Sequence, residues 1–370
     1  MNSELLFEKR LYDKACLTNT PISGTFELLP TCNLACKMCY IKLDGNMVKN
    51  KGGLRHYKDW INIAKKAKKA GLLFLLLTGG ETLMYPHFKE LYIELSKMGF
   101  ILEINSNGTL IDEGFVSWIK DIPPRHIKIS LYGASKETYK ALCGDADAFN
   151  KVINSFQLLT DNNIPVFISI TVTPLNIHEL DQMVEICNRY NFKFKITSYM
   201  YPPVRSCNGT LPLNYRLSSY EAAKVTARII EIEYGKEVFN ERCKEIANGK
   251  YTEMYSSLDN NQECMHCRAG SCTFWITWQG YMTPCAMLDT ISIPVIDCDF
   301  NVAWKKLGQE IKKIRLPLEC SNCKAAEMCY SCAASAYCET GEYEKKPEYV
   351  CQMTKHYIEF MTENYKKIEE

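Results

Sequence analysis

No apolar run in this chain is long enough to cross a membrane: the longest, Leu72–Leu77, falls far short of the ~20 residues of a spanning helix. The start, Met1-Asn2-Ser3-Glu4, lacks the basic stretch and apolar core of a secretory signal. A surplus of charge is missing too. With 44 basic and 43 acidic residues the formal charge is +1, which argues against a nucleic acid or an anionic membrane held by bulk electrostatics. Histidine is scarce, six in 370 residues, and the first is His56. Internal repeats and low-complexity segments are absent. These absences lead to the expectation of a cytoplasmic protein with neither a membrane nor a nucleic-acid partner.

Cysteine is plentiful. Nineteen thiols in a small secreted domain would suggest disulfides; in a long chain without a signal they suggest metal ligands in a reducing compartment. Most lie between Cys264 and Cys351. Cys16, Cys143, Cys187, Cys207 and Cys243 are scattered and read as small buried hydrophobes. Three more share one loop, Thr31-Cys32-Asn33-Leu34-Ala35-Cys36-Lys37-Met38-Cys39, and no further cysteine follows until Cys143. A structural zinc ion takes four ligands, and this C-x3-C-x2-C loop offers three without an evident fourth. Three thiolates also hold a cubane iron–sulfur cluster with one iron left open.

The first two-thirds of the chain alternates short apolar strands with amphipathic helices. Strands are predicted at Thr25–Leu29, Leu72–Leu77, Ile101–Asn105, Ile127–Leu131, Val166–Val172 and Phe192–Thr197, all rich enough in Leu, Ile, Val and Phe to be buried on both faces. Helices are predicted after N-caps at Asp112 and Asp147, and after a capping box formed by Ser218 and Glu221. Repeated strand–helix units imply a parallel sheet with right-handed crossovers. Six units are too few to close a barrel of eight. The fold class is therefore α/β, a partial (β/α)6 TIM-like barrel with a C-terminal cysteine-rich iron–sulfur module. Residues 1–24 read as a lead-in, 25–234 as the barrel, 235–263 as a polar bridge and 264–370 as the module. The module opens with a hairpin, Phe274–Trp278 and Tyr281–Ala286 around Gln279-Gly280, and closes with a helix from Gln352 to Lys367. The cysteine loop follows strand one, at the carboxyl end where such sheets place their chemistry.

Strand two ends in Thr78-Gly79-Gly80-Glu81. Glycines there let a backbone approach a ligand with no Cβ in the way, and the adjacent carboxylate offers an acceptor for an amine. With the cysteine loop one strand–helix unit earlier, the stretch from Thr25 to Thr197 resembles the radical SAM superfamily. The resemblance implies that Cys32, Cys36 and Cys39 bind a [4Fe–4S] cluster whose open iron takes the amine and carboxylate of S-adenosylmethionine. Gly79, Gly80 and Glu81 would hold the amino group; Ser106, Asn107 and Ser130 match positions that touch the methionyl or ribose part. The residue before the third cysteine is often aromatic in that family, and here Met38 supplies an apolar flank for adenine.

The later cysteines resemble the SPASM extension. Cys267 is followed by Gly280 and Cys285, then by Cys320, Cys323, Cys329 and Cys332, and finally by Cys351. The pattern departs from the usual one in having two residues, Tyr330-Ser331, where three are common. The resemblance implies an outer auxiliary [4Fe–4S] cluster on Cys320, Cys323, Cys329 and Cys351, and an inner one on Cys267, Cys285 and Cys332. Cys272 completes the inner cluster, leaves it open or merely packs; Cys264 and Cys338 stay unassigned. Paired structural zinc sites are the alternative, but zinc ribbons separate their knuckles by ~15–20 residues. His266 beside Cys267 reads as a solvated loop residue.

What the resemblance implies is an oxidoreductase that cleaves S-adenosylmethionine to a 5′-deoxyadenosyl radical and modifies a peptide or protein. Ribosomal-peptide maturation with thioether crosslinking stands foremost, driven by a low-potential electron donor such as flavodoxin or ferredoxin. A sulfatase-maturing type is disfavoured because Ala286 follows Cys285 where those relatives carry an aspartate. A small-molecule radical SAM enzyme is another alternative. From a different class comes a non-catalytic iron–sulfur electron-transfer protein, which would not need Gly79-Gly80-Glu81. Too few residues precede strand one for a leader-binding domain, which usually needs ~40, so recognition is expected from the cavity, the module or a separate protein. The stretch Tyr199–Arg205 reads as an aromatic lip whose arginine suits a peptide, or as a rigid turn. Cys207 reads as a hydrogen donor or a buried thiol, and Lys65, Lys66, Lys68 and Lys69 as a solvated helix face.

Overall fold

The computed structural model describes residues 3–203, 205, 215–251 and 267–369, so Cys207, Cys264 and His266 lie outside the described residues. A helix, Ser3–Leu17, precedes six strands: β1 (Ser23–Glu27), β2 (Phe74–Thr78), β3 (Ile101–Ser106), β4 (His126–Ser130), β5 (Val166–Thr171) and β6 (Lys193–Thr197). They lie side by side in sequence order, every pair parallel. Helices such as Tyr57–Lys69, Phe88–Lys97 and Asp147–Asp161 make the crossovers that parallel pairing requires. All six predicted strands are present, with ends displaced by two residues at most.

The sheet does not stop at β1. Strand β7 (Thr273–Ile276) pairs with it in parallel, and β8 (Tyr281–Thr283) and β9 (Ile293–Pro294) follow antiparallel, giving one open nine-stranded sheet. The predicted hairpin therefore belongs to the same sheet as the barrel. Its turn rests on Gly280, whose φ of +85° suits a residue without a Cβ. Pairing with β7 satisfies the backbone groups that β1 would otherwise leave open.

The expectation that the strands are buried on both faces fails for β3 to β6. Ile127 and Ile129 of β4 are fully buried, whereas Lys128 and Ser130, which alternate with them, face a hollow. Ile168 and Ile170 of β5 alternate in the same way with Ser169 and Thr171. The concave face of an unclosed barrel is a wet cavity, so polar side chains persist there. Asp112 caps its helix through Phe115 N at 2.7 Å, and Ser218 with Glu221 forms the capping box. Asp147 is instead the first helical residue, and the neighbouring Asp145 Oδ1 accepts its N–H at 2.9 Å. The closing helix, Glu348–Glu369, packs along Ser219–Tyr234 and Lys236–Ala247. Lys66 departs from the solvated face expected of it: its Nζ donates to the carbonyls of Ile296 and Cys298 at 3.2 and 3.0 Å.

Candidate active site

The cysteine loop is held from two sides by main-chain hydrogen bonds. Gly80 N donates to Leu29 O at 2.7 Å and Glu81 N to Thr31 O at 2.9 Å. On the other side, Ala35 N and Lys37 N donate to Cys143 O and Leu142 O, both at 2.9 Å. A Cβ on Gly80 would stand 2.2 Å from Thr31 O, and one on Gly79 2.6 Å from Leu29 O. The two glycines thus make room for the backbone of the cysteine loop, where the sequence suggested room for a ligand. Both still line the cavity.

Glu81 is fully buried and lies outside the cavity lining. Its carboxylate accepts from Ser106 Oγ at 2.9 Å, Asn107 N at 2.7 Å and Leu83 N at 3.0 Å, bracing the end of β3 against the end of β2. Burial pushes its pKa above the usual carboxylate value, and these hydrogen bonds pull against that rise. Asn107 extends the brace to the loop, with Nδ2 2.9 Å from Asn33 Oδ1 and 3.6 Å from Cys32 Sγ.

A cavity of about 330 Å³ opens at the carboxyl ends of the strands. Cys32, Cys36, Cys39 and Met38 form one wall; Ser106, Asn107 and Ser130 stand on others. Asn105 Oδ1, also on the lining, is buried without a partner among the described residues, although its Nδ2 reaches Thr78 Oγ1 at 3.2 Å. A buried acceptor left open in a cavity fits a cationic ligand such as the methionyl ammonium. Burial first, with Cys36, Glu81 and Cys39 adding to it, raises the Cys32 thiol to about 11 against a hydrogen bond from Leu34 N that lowers it. Contact with the Cys143 thiol, then burial, raises Cys36; burial raises Cys39. Three thiols that resist ionising beside one another fit a site completed by cationic iron, which supplies the missing positive charge.

The lip after β6 brings Tyr199, Met200 and Tyr201 to the cavity rim. Arg205 does not face a ligand. Its guanidinium binds the carboxylate of Glu27 at 2.6 and 2.8 Å, because that carboxylate is fully buried at the end of β1 and needs a partner. Glu27 was invisible as a site residue in the sequence; its signal was an acid closing an apolar strand.

The module's thiols act on one another electrostatically in two sets. Cys323, Cys329 and Cys351 bear on Cys320, which burial raises first. Cys332 and Cys267 bear on Cys285, whose burial lifts it to about 11. Tyr201 connects this second group to the cavity, its hydroxyl lying 3.6 Å from Cys332 Sγ.

Residues 26–187 match the model of the Radical SAM superfamily. The chain is 24% identical over 308 residues to the sporulation killing factor maturation protein SkfB of Bacillus subtilis (strain 168), covering 82% of this chain and 68% of that protein. It is 22% identical over 347 residues to the AdoMet-dependent heme synthase of Methanosarcina barkeri, covering 90% of this chain and 97% of that protein. Among solved structures, Streptococcus suis SuiB bound to precursor peptide SuiA aligns with a TM-score of 0.68 at 18% identity, over 94% of this chain and 81% of SuiB, a likeness of fold. The segment that closes around the three-cysteine loop at the carboxyl end of β1 thus matches the radical SAM family over residues 26–187, and that family implies a [4Fe–4S] cluster and S-adenosylmethionine as cofactors.

Proposed function

We propose that this chain is a cytoplasmic maturase that cleaves S-adenosylmethionine reductively and modifies a peptide or protein, with thioether crosslinking of a ribosomal peptide foremost. The observation that carries the reading is the meeting of three thiols with an unpartnered acceptor on one cavity at the carboxyl end of the sheet. When bound, the cluster and S-adenosylmethionine supply the electron and the sulfonium whose scission gives a 5′-deoxyadenosyl radical.

The chain's own residues position and enclose. Cys32, Cys36 and Cys39 hold the cluster on a loop pinned from two sides. Gly79, Gly80 and Asn105 receive the methionyl ammonium; Glu81 acts from behind by fixing Ser106 and Asn107. Ser106, Asn107 and Ser130 take the carboxylate and ribose, and Met38 flanks the adenine. The Tyr199–Tyr201 lip excludes water from the reacting carbon. Cys320, Cys323, Cys329 and Cys351 would hold an outer auxiliary cluster, and Cys267, Cys285 and Cys332 an inner one, which would supply an acceptor for an electron left on the substrate. A flavodoxin or ferredoxin supplies the first electron.

A peptide substrate is supported by the maturation protein SkfB and by SuiB, which is bound to a precursor peptide. The likeness to a heme synthase favours a second reading, a small-molecule substrate. The cavity floor supports the peptide through Ser169, Thr171 and Thr197, which offer hydrogen bonds to main-chain amides.

The test is anaerobic reconstitution followed by addition of dithionite and S-adenosylmethionine. About twelve irons and equal yields of 5′-deoxyadenosine and methionine are expected. Bound iron with S-adenosylmethionine left intact overturns the reading and leaves an electron-transfer protein. A short cysteine-bearing peptide encoded beside the gene is expected to return two hydrogens lighter.

A further inference from the structure

Among the described residues that line the cavity, Lys128 alone is basic, and none is an aspartate or a glutamate. Lys128 stands on β4 in register with Asn105 on β3. It lies two residues before Ser130, a step of about 6–7 Å from the strand ends into the floor of the cavity.

The ammonium has little company there. Its Nζ lies 5.8 Å from the centroid of the Phe167 ring, a weak attraction for a cation. Among the described residues Lys128 makes no ion pair and no hydrogen bond. Asn105 Oδ1, on the neighbouring strand, accepts nothing from it. The acid that could answer it is Glu103, and that carboxylate turns elsewhere, to Arg125 Nη1 at 3.3 Å and His126 Nε2 at 3.5 Å. Burial lowers the Lys128 pKa, Lys195 lowers it further, and Glu103 opposes both. A cation withdrawn from water in this way is stabilised by an anion brought to it. The hydroxyls of Ser169, Thr171 and Thr197, on the same lining, can donate to that anion as well.

We propose that Lys128 sets substrate specificity by receiving a carboxylate on the cavity floor, so that the peptide taken here is one that brings an Asp or Glu side chain, or its own free C-terminus, into the cavity. The proposal names the substrate class of the peptide reading and rests on it. A carboxylate anchored on the floor leaves the neighbouring carbons of the substrate nearer the strand ends, where the cysteine loop stands.

The test is anaerobic affinity selection on the reconstituted full chain, with S-adenosylmethionine bound and no reductant, so that nothing turns over. The probe is a synthetic library of random short peptides, each bearing a cysteine, prepared once with amidated and once with free C-termini. The unaltered chain is expected to retain acidic peptides. Enrichment of Asp or Glu in the amidated library assigns a side-chain carboxylate; retention of free over amidated C-termini assigns the terminal one. Lys128→Met is expected to lose that selection and to bind the selected peptides about thirtyfold more weakly. Lys128→Arg is expected to keep it, and Lys128→Glu to select Lys and Arg in its place. Peptides retained without a carboxylate preference, or a preference that survives in Lys128→Met, overturn the proposal and leave a solvated lysine. Iron content and far-ultraviolet spectra check that the variants fold; Lys128→Gln, with a polar tip of its own, carries the same expectation as Lys128→Met where the latter does not fold. The cofactor's carboxylate is tested apart: S-adenosylmethionine is expected to bind Lys128→Met with a Kd within about threefold of the unaltered chain's, and a rise of about tenfold or more gives the ammonium to the methionyl group and overturns the proposal. If the unaltered chain retains no peptide from either library, the peptide reading itself falls, and this proposal with it.

Discussion

The Arg205 guanidinium closes on the Glu27 carboxylate through two hydrogen bonds, and Trp275 Nε1 adds a third at 2.9 Å. One ion pair thereby ties the lip after β6 to both β1 and β7. Tyr40, half-buried and next to Cys39 in the chain, lines the cavity. Arg205→Met leaves a buried carboxylate without its partner and is expected to cost about 3–5 kcal/mol. Adding Glu27→Gln is expected to return most of that loss. Urea denaturation of the four proteins in this cycle measures the coupling. A cost below about 1 kcal/mol for Arg205→Met alone would mark the pair as solvent-screened.

Gly80→Ala places a Cβ 2.2 Å from Thr31 O, and main chain cannot yield there without moving the cysteine loop. The variant is expected to lose the first cluster and keep the auxiliary ones. Iron should fall by about a third and 5′-deoxyadenosine formation should vanish, with the far-ultraviolet spectrum unchanged. Full iron content with normal turnover would show that the loop tolerates the displacement.

Glu179 accepts a hydrogen bond from Ala134 N at 2.6 Å and another from Ser135 Oγ, bracing the loop that follows β4. Burial acts to raise its pKa, but the hydrogen bonds of Ser135, Ala134 and Thr138 outweigh it and hold the carboxyl below the ordinary 4.5. A depressed acid stabilises the fold above its unfolded pKa and loses that contribution as pH falls through the folded value. Glu179→Gln is expected to cost about 1–3 kcal/mol near neutrality. The difference should shrink below pH 4.5 and vanish once both states are protonated. An equal cost at every pH would assign the loss to shape and not to charge.

Tyr201 sets its hydroxyl 3.6 Å from Cys332 Sγ. A donor directed at a ligating sulfur raises a cluster's reduction potential. With Cys332 as an inner ligand, Tyr201→Phe is expected to lower the potential of one auxiliary cluster and leave the other, and the iron count, unchanged. Potentiometric titration followed by electron paramagnetic resonance reads this directly. Two clusters shifting together would mean that the ring acts by packing.

The six parallel strands were legible because apolar runs of strand length, separated by capped amphipathic helices, admit few other folds. The cysteine loop was legible because three ligands at fixed spacing are a local signal. Contacts between distant segments were not. The Glu27–Arg205 pair joins residues 178 apart, and nothing near either one in sequence announces the other. The placing of β7 beside β1 was hidden for the same reason. The glycines of Gly79-Gly80 were noticed for the right property, a missing Cβ, but the group occupying the space is main chain from Leu29 and Thr31. Lys128 and Asn105 were overlooked because a polar residue inside an apolar strand is a weak signal until the strand is seen to face a hollow.

Strand β1 is laid down early in synthesis, yet one of its two partners comes from the last third of the chain; Trp275 on β7 meets Glu27 on β1 across 248 residues. Until that late segment emerges from the ribosome, one edge of β1 exposes unpaired amides, and Glu27 lacks the Trp275 indole that joins Arg205 on its carboxylate. Nascent chains are therefore expected to depend on chaperones through most of elongation. Fragments that end before β7 should aggregate, so the barrel and the module are to be expressed, engineered or exchanged only as one piece.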